Sequence, residues 1–419
     1  MQFSQLKIND LISRALADLN YDLPTPIQVQ AIPPLLKGFD MLGTAQTGTG
    51  KTAAYSIPLL QKIIANRSIH HSSILTSLII APTRELAAQI GTSIKEYGRY
   101  CKVRVAVVFG GVSKGPQISN LKNGVDILVA TPGRLLDLID SQHLDLSQVN
   151  YFVLDEADQM LDMGFLRDIK RIIAKLPKIR QTMLFSATMP KEIVSLAESL
   201  LHDPVHVSIG SVQAPLDAIS QSLYRVEKKN KAKLLIHLLK DDKITSALVF
   251  TRTKNGANRL TKKLLNQPYK TEVIHGNKSQ NARTNALKNF KNHASRVMVA
   301  TDIAARGLDI SQISHVFNYD LPETPEVYLH RMGRTGRAGK DGITISFCSR
   351  EELSLLRDIQ RHIKMEIPVI PVPLTFPKKE TINETPPAKE NACLSPLKNS
   401  SKGHLSHNSS SSHKNNKTF

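Results

Sequence analysis

Residues 45 to 52 read "AQTGTGKT", two glycines, a lysine and three threonine hydroxyls that follow a short apolar segment and precede a helical stretch, "AAYSIPLLQKII". Glycines let backbone N–H groups turn inward around phosphate oxygens, and the helix behind them adds the positive end of its dipole. The pattern is a P-loop variant with Ala45 where the first glycine is usual and the Gly50, Lys51, Thr52 ending intact. The chemistry on offer is nucleotide binding. Gln46, Thr47, Gly48 and Thr49 would wrap the phosphates, Lys51 would reach the β- and γ-phosphates, and Thr52 would ligate Mg²⁺.

A nucleotide site of this kind needs a carboxylate at the end of a second strand, and "YFVLDEAD" supplies it. Four residues suited to a buried strand run into Asp155, Glu156, Ala157 and Asp158, at the carboxyl end where open α/β sheets hold ligands. Asp155 would hold Mg²⁺ through water, and Glu156 would accept a proton from the attacking water. Three carboxylates this close repel one another, so a purely structural role is costly without a nearby cation.

The third constellation is "HRMGRTGR", residues 330 to 337. In "LPETPEVYLHRMGRTGR" Thr324 suits an N-cap, Pro325 the first helical position and Gly333 the C-terminal stop. Arg334 and Arg337 then fall just past a helix, in a glycine-punctuated loop that presents guanidinium groups to an anion instead of burying them. They are candidate arginine fingers for a γ-phosphate bound elsewhere in the chain.

The elements that must position these groups are legible as short β-branched runs alternating with longer stretches of helical period, the signature of parallel sheets built from βαβ units. One series comprises "SLIIAPT", "VRVAVVF", "DILVA", "YFVLDEA" and "QTMLFSAT"; a second comprises "SALVFT", "TEVIHG", "RVMVAT", "SHVFNY" and "GITISFC". The P-loop belongs to the first series and the arginines to the second, so a shared site requires closure of two domains. The expected organisation is an N-terminal α/β domain over 1–209, a linker over 210–218, a second α/β domain over 219–370 and a tail over 371–419. The tail is proline-rich and then polar, a composition that cannot offset its ordering entropy, so disorder is expected. It carries seven lysines and three glutamates, a net +4, which suits either a sequence-independent phosphate tether or a solubilising segment.

The bulk numbers agree with a polyanionic partner. The 419 residues carry 55 Lys and Arg against 36 Asp and Glu, a formal +19. No apolar run approaches a membrane span and the N-terminus lacks a secretory pattern, so a cytosolic protein is expected. Cys101, Cys348 and Cys393 are too scattered for a zinc site or redox pair. With no tryptophan and 5% aromatics, a base-stacking platform is not expected, so a nucleic-acid partner would be held through its phosphates with little sequence preference.

From residue 1 to about 370 the sequence resembles a DEAD-box RNA helicase, with motifs in that family's order. The resemblance implies two tandem RecA-like domains, ATP and Mg²⁺ as ligands, and RNA as partner. "YDLPTPIQ" is similar to the Q motif, which puts Gln28 on the adenine edge and the upstream Phe3 against the base; Asn20 stands where a glycine is usual. "SAT", Ser186, Ala187 and Thr188, resembles the segment coupling the nucleotide site to strand separation, with hydroxyls bonded to the Asp158 region. From the residues alone, an ordinary cap is the other reading. "APTREL" with Arg84, the Gly110 and Gly111 pair, and "TPGR" with Thr131 and Arg134 resemble RNA-contacting loops. In the second domain the set continues with "VFTRT" and Arg252, "SQNAR" with Gln280 and Arg283, and "ATDIAARGLDI" with Thr301, Asp302, Arg306, Gly307 and Asp309. The resemblance places Gly307 and Asp309 at the nucleotide, Asp309 on its ribose, and Thr301 and Arg283 on the RNA backbone. His330 would support the arginine loop and the interdomain contact, whereas His275 in "VIHG" reads as a capping or packing residue. "DMGFLRDIKRIIAKLPKIRQTMLFSAT" and "LLRDIQRHIKMEIPVI" resemble the bacterial RhlE-type branch.

The implied activity is ATP-dependent local separation of short RNA duplexes or remodelling of RNA–protein complexes by a monomer, with ribosomal or RNA-decay proteins as possible partners. Two alternatives of the same architecture are an RNA clamp that turns over too slowly to unwind and a DNA-directed motor. Glu156, Arg334 and Arg337 speak against the first and the Q motif against the second.

Overall fold

In the computed structural model the residues described are 2–46, 48–67, 74–209, 219–305, 313–336 and 342–373. Thirteen strands among them form two parallel sheets, and every ladder is parallel. The first sheet contains β1 (Met41–Ala45), β2 (Ser77–Ile80), β3 (Val105–Val108), β4 (Ile127–Ala130), β5 (Tyr151–Leu154), β6 (Gln181–Ser186) and β7 (Val205–Ile209), in the order β3-β4-β2-β5-β6-β1-β7. The second contains β8 (Ile219–Arg225), β9 (Ala247–Phe250), β10 (Thr271–Ile274), β11 (Val297–Ala300), β12 (His315–Asn318) and β13 (Gly342–Cys348), in the order β10-β11-β9-β12-β13-β8. Both sheets belong to one compact unit.

Central strands such as "SLII", "ILVA", "ALVF" and "VMVA" are buried at every position. Helices cover both faces of these strands, which is why they read as unbroken apolar runs rather than alternations. The strands that the apolar-run signal does not pick out are β7 and β8, one at an edge of each sheet. In "ISQSLYR" buried and exposed positions mostly alternate, and "VHVSI" has a single buried residue, because an edge strand contributes one face to the core. The 210–218 linker and all of the tail after residue 373 lie outside the described residues.

The arginine cluster is divided by the fold. Helix Pro325–Met332 starts at Thr324 and stops at Gly333, as its sequence signals imply. Arg331 points into the sheet and is almost wholly buried. It forms a two-bonded ion pair with Asp302, one arm at 2.8 Å, and donates to Asn318 Oδ1 at 3.0 Å and to the Asp320 carbonyl at 2.7 Å. The guanidinium also lies 4.8 Å from the Phe250 ring centroid. This one side chain therefore ties together the carboxyl ends of β9, β11 and β12. Arg331→Ala would leave Asn318 and Asp302 without their cation, and breaking a buried pair from one side costs about 3–5 kcal/mol. The urea midpoint of the second lobe should fall accordingly, and an unchanged midpoint would rule out this bracing role.

Candidate functional site

The P-loop follows β1, and Gly50 marks its tightest point. Gly50 has φ +99°, and a Cβ there would meet Gln28 Nε2 at 2.6 Å and Thr25 Oγ1 at 2.7 Å, so no L side chain fits. Gln28 is held from two directions: its Oε1 accepts the Thr25 N–H at 2.9 Å and its Nε2 donates to the Gly50 carbonyl at 3.2 Å. The Q-motif glutamine and the P-loop are thus one hydrogen-bonded unit. Asn20, at the position where a glycine is usual, has φ +57°, a conformation Asn tolerates better than most residues. Phe3 is buried, with its ring 6.4 Å from that of Tyr21. Thr47 lies outside the described residues.

Lys51 opens helix Lys51–Arg67, is buried, and donates to the Ala45 carbonyl at 2.9 Å. Tyr55, one turn further along the same face, donates to Asp155 Oδ2 at 2.9 Å. Asp155 and Glu156 are both buried at the end of β5. Burial pushes both carboxyls up, and the Lys51 ammonium opposes the shift. Glu156 sits at φ +54°, a left-handed conformation costing a β-carbon residue about 1–2 kcal/mol and typical of functional sites. The Asp155 Oδ1 atom is buried and makes no hydrogen bond to a described residue. Thr52 bonds the same Tyr55 hydroxyl that Asp155 does, and a carboxylate oxygen with a hydroxyl would suit Mg²⁺, which keeps waters and substrate phosphates in its shell and takes only one or two protein ligands.

Asp158 is the junction to "SAT". Its Oδ2 accepts from the Ala187 N–H at 3.1 Å, the Thr188 N–H at 2.8 Å and the Thr188 hydroxyl at 3.0 Å. Its own N–H donates to Ser186 Oγ at 3.2 Å, and that hydroxyl donates to the Thr188 carbonyl at 2.7 Å. The Ser and Thr therefore bind the carboxylate segment, and Ser186 at the same time satisfies a first-turn N–H of helix Ala157–Asp162.

Arg334 comes from the second lobe, yet its charge acts on Glu156 of the first. The expectation that its loop keeps it out of the packing is corrected: Arg334 is buried. A cavity of about 570 Å³ adjoins this point, lined by Gln46, Asp158 and Thr188 of the first lobe and by His330 and Arg334 of the second. Arg337, Arg306, Gly307 and Asp309 lie outside the described residues.

The remaining candidates form two groups. Arg84 packs on Gly111, whose φ is +73° and where any Cβ would fall on the guanidinium; Gly110 has open space around it. Arg134 donates to the Val112 carbonyl at 2.9 Å, and Thr131 precedes its helix, Pro132–Asp140. In the second lobe Arg283 pairs with Glu85 at 2.9 Å and Gln280 donates to Glu85 Oε1 at 3.0 Å, directly across the lobes. Thr301 closes β11, its N–H donating to the Ile274 carbonyl at 3.3 Å. Arg252 is tied internally, to the Leu321 carbonyl at 3.2 Å and Glu352 at 3.4 Å. His275 contacts Asn258 at 2.9 Å and the Asn277 N–H at 3.3 Å, a packing role.

Sequence reasoning passed over Tyr55, Glu85 and Arg331. The spacing Lys51 to Tyr55 was a usable signal, as was an acid beside Arg84 in a helix's first turn.

Residues 25–196 match the family model described as DEAD/DEAH box helicase, and residues 230–339 match the helicase conserved C-terminal domain. The chain is 42% identical over 365 residues to the DEAD-box ATP-dependent RNA helicase CshA of Bacillus cereus, covering 87% of this chain and 69% of that one. It is 44% identical over 372 residues to the RNA helicase CrhR of Synechocystis, covering 88% and 74%. Among solved structures, S. cerevisiae Dbp5 bound to RNA and ADP BeF3 superposes with a TM-score of 0.79 at 30% identity, covering 89% of this chain and 96% of that one. Mss116 bound to single-stranded RNA and AMP-PNP gives 0.81 at 28% identity, covering 91% and 80%.

Proposed function

The chain belongs to the DEAD/DEAH box helicase family, and from that premise we propose that it is an RNA-dependent ATPase that separates short RNA duplexes or remodels RNA–protein complexes. The observation that carries the reading is the divided site, with Lys51, Asp155 and Glu156 buried in the first lobe and the Arg334 charge reaching Glu156 from the second. A site split in this way is complete only when the lobes are together, so ATP and RNA that bind the closed form favour closure.

In this scheme Lys51 leaves the Ala45 carbonyl for the β- and γ-phosphates, and Gln28 and Phe3 hold the adenine. Thr52 and Asp155 would hold Mg²⁺, which would supply positive charge to the phosphates. Water attacks the γ-phosphorus as the bond to the β-phosphate oxygen breaks, and Glu156 takes the water's proton. Arg334 and Arg337 stabilise charge on the transferring group, and Gly307 and Asp309 contribute from the second lobe. Asp158 with Ser186, Ala187 and Thr188, and His330 across the cavity, pass the state of the nucleotide to the RNA side. There Arg84, Gly110, Gly111, Thr131, Arg134 and Thr301 provide phosphate contacts. Gln280 and Arg283 contribute to closure through Glu85 as well as to RNA, and Arg252 shapes the loop more than it contacts phosphate.

The domain limits of 1–209 and 219–370, joined by 210–218 and followed by a basic tail from 371, belong to the same proposal, as does placement in the RhlE-type branch. No helix among the described residues is long and apolar enough to cross a membrane.

Lys51→Ala should weaken ATP binding itself, measured by titration with a fluorescent ATP analogue; wild-type affinity would take the P-loop role from Lys51. The function is tested by strand separation with short RNA and DNA duplexes plus ATP. Release of the RNA strand alone is expected. Equal release of DNA would indicate a DNA motor, and binding without release an RNA clamp.

A further inference from the structure

The carboxyl edge of the second sheet holds a groove that, Arg252 in its floor apart, takes no part in the scheme above. It measures about 410 Å³ and is formed by the segments following β8, β9, β12 and β13. In the order β10-β11-β9-β12-β13-β8, the chain leaves β9 toward β10 on one side and leaves β12 toward β13 on the other. The groove thus lies at the sheet's topological switch point, where open α/β sheets bind ligands.

Its floor is a closed ion network. Lys231 is 1% exposed and donates to Glu352 at 2.6 Å and to the Tyr319 carbonyl at 2.8 Å, with Asp320 at 3.6 Å. Arg252 shares Glu352 and takes its N–H to Asp320 at 3.0 Å. Those two carboxylates are thereby committed to two cations. Of the other cations in the lining, Lys228 has Glu351 at 3.6 Å and Lys229 has Glu227 at 2.9 Å, all four side chains being largely exposed. Arg259 and Lys263 pair with no carboxylate among the described residues. They stand one turn apart on helix Lys254–Leu264, on the face that Gly256 opens by having no side chain. Six cations and three carboxylates line the groove in all.

We propose that this groove binds the phosphodiester backbone of RNA beyond the nucleotides held between the lobes, with Arg259 and Lys263 as its contacting cations. A chain of phosphates fits better than one compact anion, because the surplus charges are strung along a helix face at about 5.4 Å per turn. Tyr319 is the only aromatic in the lining, so the contact is to backbone and not to stacked bases. Gln280 and Arg283 follow β10, and the groove begins two strand spacings away at β9, about 10 Å along the same edge. A strand running over Arg283 and Thr301 needs added length to reach it.

This site rests on the RNA reading above. The test compares wild type with Arg259→Ala/Lys263→Ala on single-stranded RNA of about 6 and about 16 nucleotides, measuring affinity, its salt dependence and ATPase stimulation. The variant should bind the longer RNA about tenfold more weakly, with a log–log salt slope shallower by about 1.4, while the shorter RNA and the RNA-free ATPase rate stay unchanged. Arg259→Glu/Lys263→Glu should enlarge the same difference. Unchanged binding of the longer RNA, or equal loss on both lengths, would overturn the site. A wild-type protein whose ATPase no RNA stimulates would instead remove the RNA reading, and the groove's assignment with it.

Discussion

Glu156→Gln is expected to bind ATP nearly as tightly as wild type and to hydrolyse it about 10²–10⁴-fold more slowly. The substitution keeps side-chain volume and hydrogen-bonding reach but removes the only form of residue 156 that can take a proton from water. Lys51 and Asp155 lie beside it and are unaltered, so the phosphate contacts survive. Two features indicate that residue 156 is built for chemistry. Its backbone is held at φ +54°, a strain that packing alone would not select. Its carboxyl is buried, which raises its proton affinity, and this rise is restrained by Lys51 and by Arg334 from the other lobe. Single-turnover hydrolysis with radiolabelled ATP reads the effect directly, and wild-type turnover would exclude Glu156 as the base.

Arg334→Ala is expected to lower RNA-stimulated kcat by about 10³-fold or more, the usual effect of losing an arginine finger, with little change in ATP affinity of the open protein. Arg334→Lys should restore little, because an ammonium lacks the planar fork that matches phosphate oxygens. The neighbouring Arg331 provides an internal contrast. Its loss should show first in the urea midpoint of the second lobe, whereas loss of Arg334 should leave that midpoint in place. Equal stability losses in both variants would mean that Arg334 is a packing residue too.

Much of the nucleotide site was legible in the sequence. The P-loop, the carboxylates at the end of β5 and the helix that stops at Gly333 each follow from local rules, and the structure assembles them as those rules require. The partner of Arg331 was not legible, since Asp302 lies 29 positions away and spacing gives no hint of which arginine turns inward. The same holds for Glu85, whose bonds to Gln280 and Arg283 cross between lobes. Edge strands β7 and β8 escaped because one-sided burial breaks the apolar run by which a central parallel strand is recognised. Local chemistry is written in short segments, but long-range pairing is decided by topology.

The most direct test of a site completed by closure on RNA is the rate of phosphate release from ATP by the protein, alone, with single-stranded RNA, and with single-stranded DNA of equal length. Strong stimulation by RNA and little by DNA is the expected result. A rate unchanged by RNA, or raised equally by both, would contradict it.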